Sequence, residues 1–141
     1  MIFYDYYINY VAPLVVVIAG SKSDIDFVTK INKELTSVGI VYRNYFHSAH
    51  KETYKVMDIV KKYNNRIAPT IIVTVAGCSN ALGGVVAANI KKPVINCPYY
   101  KDSLDMYMNL NSSIMMPSGV PVSLVIRPDN LASFIRNIFQ V

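Results

Sequence analysis

The residues Leu14-Val15-Val16-Val17-Ile18-Ala19 form an unbroken aliphatic run, and this run constrains the fold more than any other feature of the chain. A strand with one wet face alternates apolar and polar residues. A strand that does not alternate must be covered on both faces, as in a parallel sheet held between layers of helices. Thr70 to Val75, rich in β-branched residues, predicts a second strand of this kind.

The segments between and after these runs alternate in period. Ser23 predicts a helix cap ahead of Ile25, Val28, Ile31 and Leu35, which share one helical face, and Gly39 predicts the end of that helix. Ile40 to Phe46 reads as a strand, and from Lys51 onward Val56, Ile59, Val60 and Tyr63 fall at helical spacing. Past the small-residue segment Ala76 to Gly84, the pattern predicts a helix over Val85 to Ile90 and a short strand over Pro93 to Cys97. A helix over Leu104 to Met115 and a strand over Val122 to Ile126 follow. Leu131, Phe134, Ile135 and Ile138 form an i, i+3, i+4, i+7 stripe on a closing helix. Strand and helix alternate five times. The expected fold is α/β: a single-domain, three-layer sandwich with an open parallel sheet, flavodoxin-like or Rossmann-like. The domain is expected over 14–141, with 1–13 a Tyr-rich N-terminal extension that packs on a neighbouring subunit.

Composition narrows the function classes. With 141 residues, 52% hydrophobic and 16% charged, the chain has one core and none of the polar bias of disorder. So few charges predict a homo-oligomer that hides surface against copies of itself. The net charge of +5 is scattered rather than gathered in a basic stripe, so no nucleic acid is expected as partner. Cys78 and Cys97 form neither a CxxC pair nor a His/Cys cluster. No metal and no disulfide framework is indicated, and a cytoplasmic location is the expectation. No Lys or Arg precedes the apolar stretch Val11 to Gly20, and Asp5 and Asn9 interrupt the segment before it; neither a signal peptide nor a membrane partner is expected.

In such sheets ligands bind beyond the carboxyl ends of the strands. After the first strand, Gly20-Ser21-Lys22-Ser23-Asp24 offers backbone amides at a helix start, hydroxyls and a carboxylate, which suit a phosphate with a neighbouring diol or equally a simple helix cap. After the second, Ser48-Ala49-His50-Lys51 groups a hydroxyl, an imidazole and an ammonium. A lysine in a helix's first turn opposes the helix dipole and is better explained if an anion binds there. His47 reads as structural or solvated. After the third, Ala76-Gly77-Cys78-Ser79-Asn80-Ala81-Leu82-Gly83-Gly84 would let a ligand touch backbone directly, and it matches neither a Walker loop nor a dinucleotide turn. No cofactor is implied. One histidine, an anion site and a small-residue cradle point to acid/base chemistry on a phosphorylated small molecule.

These loops, in this order, resemble the aminoimidazole ribonucleotide carboxylase/mutase family of purine biosynthesis. The resemblance runs from about Leu14 to Phe139. Gly20-Ser21-Lys22-Ser23-Asp24 is similar to the family's Gly-Ser-x-Ser-Asp, and Ser48-Ala49-His50-Lys51 to its Ser-Ala-His-Arg/Lys. Pro93-Val94-Ile95-Asn96-Cys97-Pro98 and Met116-Pro117-Ser118-Gly119-Val120-Pro121-Val122 resemble later signatures. Ser79-Asn80, Leu82-Gly83 and Lys51 side with the carboxylase branch, while Ala81 stands where the mutase branch has a second histidine. Two departures stand out: Cys78 replaces the carboxylase branch's Arg, and Glu52-Thr53 replaces the small residue and proline that follow the His-Lys or His-Arg pair.

The resemblance implies an ATP-independent, reversible carboxylation of aminoimidazole ribonucleotide by carbon dioxide. It further implies His50 as the proton carrier, and Ser23, Ser48 and Lys51 on the phosphate. Asp24 would lie on the ribose hydroxyls, and Ser21 with Ala76 and Gly77 on the imidazole and carboxylate. Gly20, Ala49, Ser79, Asn80, Leu82 and Gly83 complete the implied substrate site. It also implies a homo-octamer with sites between subunits. A catalytically silent ribonucleotide-binding or assembly module is the alternative, and the mutase activity a third reading.

Overall fold

The computed structural model describes residues 1–141, apart from the side chain of Asn9. Five parallel strands form one sheet in the order β2-β1-β3-β4-β5: β1 Leu14–Ala19, β2 Val41–Phe46, β3 Thr70–Val75, β4 Val94–Asn96 and β5 Ser123–Leu124. This is the doubly wound arrangement the alternating pattern predicts, and its strand order reverses between β1 and β3.

The absence of alternation in β1 has the expected consequence. Val15, Val17 and Ala19 face one layer with Val28, Ile31 and Leu35 of α2 (Ile25–Ser37) and Leu131 and Ile135 of α6 (Pro128–Phe139). Leu14, Val16 and Ile18 face the other, with Val56, Ile59 and Val60 of α3 (Thr53–Asn64) and Val86 of α4 (Ala81–Asn89). All six β1 residues are buried. Burying a Val or Ile side chain is worth roughly 1.5–3 kcal/mol, so the two faces of this one strand anchor both layers. Helix α5 (Ser103–Ile114) leads into β5.

Several local expectations change. Ser21, not Ser23, is the cap: its side chain accepts from the Ser23 amide at 3.1 Å, at the head of a short 3-10 turn over Lys22–Asp24. Ile25 therefore overhangs the first turn of α2 and is 54% exposed. Helix α4 begins at Ala81 rather than Val85, because the Asn80 side chain accepts from the Gly83 amide at 2.8 Å and starts the helix there. On α6 the buried set is Leu131, Ala132 and Ile135, with Phe134 and Ile138 partly exposed; the stripe turns toward small Ala132, where α6 meets α2. The last strand shrinks to Ser123–Leu124, since its partner β4 has only three residues. Gly39, at φ +74°, ends the segment after α2 as expected.

The Tyr-rich start forms helix α1 (Ile2–Tyr6), which runs on into a wider-wound turn, Tyr7–Val11. It is fastened to its own chain. The buried Arg66 guanidinium donates to the carbonyls of Ile8 (2.7 Å), Ala12, Ala68 (3.1 Å) and Pro69 (3.0 Å) and to the Thr70 hydroxyl (2.8 Å). Among the described residues no helix is long and apolar enough to cross a membrane.

Candidate active site

A cleft of about 460 Å³ opens at the carboxyl ends of the strands. Gly20, Ser21, Ser23 and Asp24 line it from the end of β1, and Ser48, Ala49 and His50 from the end of β2. Ala76, Gly77, Ser79 and Leu82 line it from the segment after β3. Residues as far apart as Gly20 and Leu82 thus converge because three parallel strands end side by side, as their in-register pairing requires.

Each wall has its own construction. On the β1 side the Ser23 hydroxyl donates to the Ser21 hydroxyl at 2.8 Å, and both remain exposed toward the cleft. Burial raises the Asp24 carboxyl above its usual range, against a smaller lowering by the backbone at Ser21. On the β2 side the Glu52 amide donates to the Ser48 carbonyl at 2.8 Å and the Lys51 amide to the Ser48 hydroxyl at 3.3 Å, closing the turn that carries His50. Glu52 also meets His47 Nδ1 at 3.2 Å and Lys55 Nζ at 2.6 Å. The Lys55 bond first, then the His47 bond, draws its carboxyl down to about 2. His47 is thereby a partner of Glu52, the structural of the two readings, structural or solvated, that the sequence left open.

The β3 side is a loop pinned from behind. Cys78 adopts φ +56°, the left-handed region that costs a non-glycine residue roughly 1 kcal/mol or more. The Ser112 hydroxyl donates to its carbonyl at 3.1 Å and accepts from the Asn80 amide at 3.2 Å. Asn80 Nδ2 donates to the Ser113 hydroxyl at 3.1 Å, and the Ser113 carbonyl in turn accepts from Asn96 at 2.8 Å.

Three of the residues singled out from the sequence do not line the cleft. Asn80 is buried and spends both ends of its amide on the α4 cap and on Ser113. Gly83 is buried where any side chain would collide with Asn96, 2.3 Å from the position of a Cβ. Lys51 is exposed, beside the cleft rather than in its lining. Conversely, Cys78, Tyr99, Lys101 and Asp105 line it without having been assigned there. The last three follow β4, where the rule about strand ends points, but bulky Pro98-Tyr99-Tyr100 gave no small-residue signal.

Hydroxyls, a carboxylate and an imidazole gathered at the topological switch of a flavodoxin-like sheet define this as the small-molecule cleft of a doubly wound α/β protein. The comparisons specify it further. A match to the AIR carboxylase family spans residues 14–141, and the chain belongs to that family. It is 45% identical over 126 residues to phosphoribosylaminoimidazole carboxylase of Archaeoglobus fulgidus, covering 89% of this chain and 68% of that protein. It is 38% identical to the human bifunctional phosphoribosylaminoimidazole carboxylase/phosphoribosylaminoimidazole succinocarboxamide synthetase, covering 89% of this chain but 29% of that protein. A crystal structure of Treponema denticola PurE superposes with a TM-score of 0.83 at 40% identity, covering 91% of this chain and 80% of that chain.

Proposed function

We propose that this chain is a phosphoribosylaminoimidazole carboxylase that adds carbon dioxide to aminoimidazole ribonucleotide in purine biosynthesis. One observation carries the reading: His50 shares a single cleft with Ser23 and Gly77, residues supplied by three separate loops. The catalytic unit is residues 14–141, with 1–13 an extension, and the protein works as a cytoplasmic homo-oligomer, an octamer by family resemblance. The exposed apolar residues Leu104, Tyr107, Met108 and Met115, on and just after α5, support an oligomer.

In this reading Ser23 and Ser48 receive the phosphate at the head of α2, where amides and the helix dipole favour an anion. Asp24 accepts from the ribose hydroxyls. The electron-rich imidazole carbon of the substrate attacks carbon dioxide, forming a C–C bond and a tetrahedral ring carbon. That carbon then loses its proton to His50, and the C–H electron pair restores the aromatic ring. Imidazole is the side chain suited to taking and returning a proton near neutral pH, so the same group serves the reverse reaction. Amides of the pinned 76–79 loop face the new carboxylate, and their fixed positions cost no reorganisation. Ala81 carries no titratable group, which favours direct use of carbon dioxide over a mutase reaction.

The test is incubation of the protein with aminoimidazole ribonucleotide and bicarbonate, without ATP, following the carboxylated product. Turnover is expected, and His50→Asn should lower kcat by roughly 10²- to 10⁴-fold while leaving substrate binding intact. Binding without turnover in the parent protein would leave a silent ribonucleotide-binding module, and turnover of only the carbamate form of the substrate would make it a mutase.

A further inference from the structure

We propose that Lys101 supplies the positive charge that meets an oxyanion of the bound ribonucleotide, a role that deepens the reading above and rests on it. The charge inventory of the cleft leads there. Its lining holds two carboxylates, Asp24 and Asp105, and Lys101 is the one lysine or arginine among the lining residues. A phosphomonoester carries about −1.5 to −2 charges at neutral pH. Added to two carboxylates, it needs a compensating cation, and Lys51 lies outside the lining.

The segment that carries Lys101 is tied down rather than loose. The Lys101 amide donates to Asp105 Oδ2 at 2.8 Å, and the Asp105 amide donates to Asp102 Oδ1 at 2.9 Å, locking the residue to the first turn of α5. Asn109, 1% exposed, donates from Nδ2 to the Tyr99 carbonyl at 2.9 Å and to Asp105 Oδ1 at 3.3 Å. Both Asp105 oxygens therefore serve the strap. The Lys101 ammonium is in no ion pair among the described residues, which pair His47 and Lys55 with Glu52 and Arg127 with Asp129. The backbone is anchored and the charge is uncommitted, which is the arrangement a ligand-facing lysine requires.

The strap also reaches the right wall. The Tyr99 carbonyl lies 3.5 Å from where a Gly77 side chain would begin, so it packs directly on the 76–79 loop. A cation here can meet the carboxylate formed beside that loop or the phosphate across the cleft, and kinetics in the two directions separate these sources.

The experiment compares the parent protein, Lys101→Met and Lys101→Arg, measuring KM and kcat for aminoimidazole ribonucleotide and for its carboxylated product, with calorimetric titration of both compounds. Lys101→Met is expected to weaken binding roughly tenfold or more, as for loss of one charge-assisted hydrogen bond, and Lys101→Arg to restore most of it. Weakening with both compounds assigns the contact to the phosphate; weakening with the carboxylated product alone assigns it to the carboxylate. A cation carried in from the facing loop, Cys78→Arg in the Lys101→Met background, should recover part of the loss. Unchanged binding and KM in Lys101→Met would overturn the inference while leaving the carboxylase reading standing. A parent protein that binds but does not turn over would overturn that reading, and the titrations would still decide the role of Lys101.

Discussion

The two edges of the sheet are built on opposite plans. At the carboxyl edge short segments bring hydroxyls, a carboxylate and an imidazole to a cleft, and Ser112 and Ser113 pin the loop after β3 from behind while Asn109 holds the segment after β4. At the amino edge one buried guanidinium, Arg66, donates to the carbonyls of Ile8, Ala12, Ala68 and Pro69 and clamps the turn that follows α1 to the start of β3. A larger cavity, about 620 Å³, sits at the amino edge among Tyr6, Tyr10, Tyr63 and Lys62. There the Lys62 ammonium lies 5.3 Å from the Tyr63 ring centroid and 5.9 Å from that of Tyr45, whose hydroxyl meets the Tyr63 hydroxyl at 2.8 Å. Size does not mark the site. What distinguishes the smaller cleft is polar groups left facing open space, whereas at the amino edge the polar groups are spent on one another.

If that division holds, the largest stability effect should come from the amino edge and leave catalysis alone. Arg66→Met removes a donor from the carbonyls of Ile8, Ala12, Ala68 and Pro69 and from the Thr70 hydroxyl. Pro69 keeps the Leu14 amide and Ala68 the Thr70 hydroxyl, so the loss falls mainly on Ile8 and Ala12 and on the tie between the N-terminal turn and β3. The expected loss is about 3 kcal/mol, read as a lower Tm, with KM and kcat at the carboxyl edge unchanged at temperatures where the variant is folded. Arg66→Lys should recover little, because an ammonium cannot reproduce a planar fork of donors. A changed KM in the folded variant would show that the two edges are coupled.

The matching substitution at the carboxyl edge is Gly83→Ala. Its Cβ would fall 2.3 Å from Asn96 Oδ1, and Asn96 is fully buried and bonded to Thr74 and to the Ser113 carbonyl. Asn96 must therefore shift, and its tie to the α5 residues that pin the 76–80 loop shifts with it. About 2 kcal/mol of stability is expected to be lost. Unlike Arg66→Met, the change should also lower activity in the folded protein. A fall in Tm with full activity would mean that the loop is held well enough without this contact.

How far each edge could be read from the sequence follows from the range of the interactions that build it. β1 and β3 were legible to the residue, because burial on both faces removes alternation from Leu14–Ala19 and Thr70–Val75. The first three loops of the cleft were legible because they follow β1, β2 and β3 directly and are built mostly of small and polar residues. The start of α4 was not. Gly83-Gly84 weakens helix propensity, and what overrides it is the Asn80 cap together with the close approach of Asn96, a residue of another strand. Lys101 and the clamp at Arg66 were hidden for the same reason: their ties, such as Asn109 to Tyr99 and Arg66 to Ile8, join side chain to backbone across gaps that no local pattern records.

The smallest expected effect concerns Glu52, on the turn that carries His50. Its carboxyl is drawn down to about 2 from an ordinary value of 4.5, first by the bond to Lys55 and then by that to His47. A carboxyl depressed on folding adds stability that is fully present above its unfolded value and is lost as pH falls through the folded one. The window is therefore about 4.5 down to 2. The pair is exposed and screened, so its contribution is small. Glu52→Gln should lower Tm slightly at pH 6, and the gap between the two proteins should close as the pH is brought down through that window. A gap that persists at the acid end would mean that Glu52 holds the turn by packing rather than by charge. In that case the carboxyl edge, like the amino edge, would owe its order to contacts that pH does not touch.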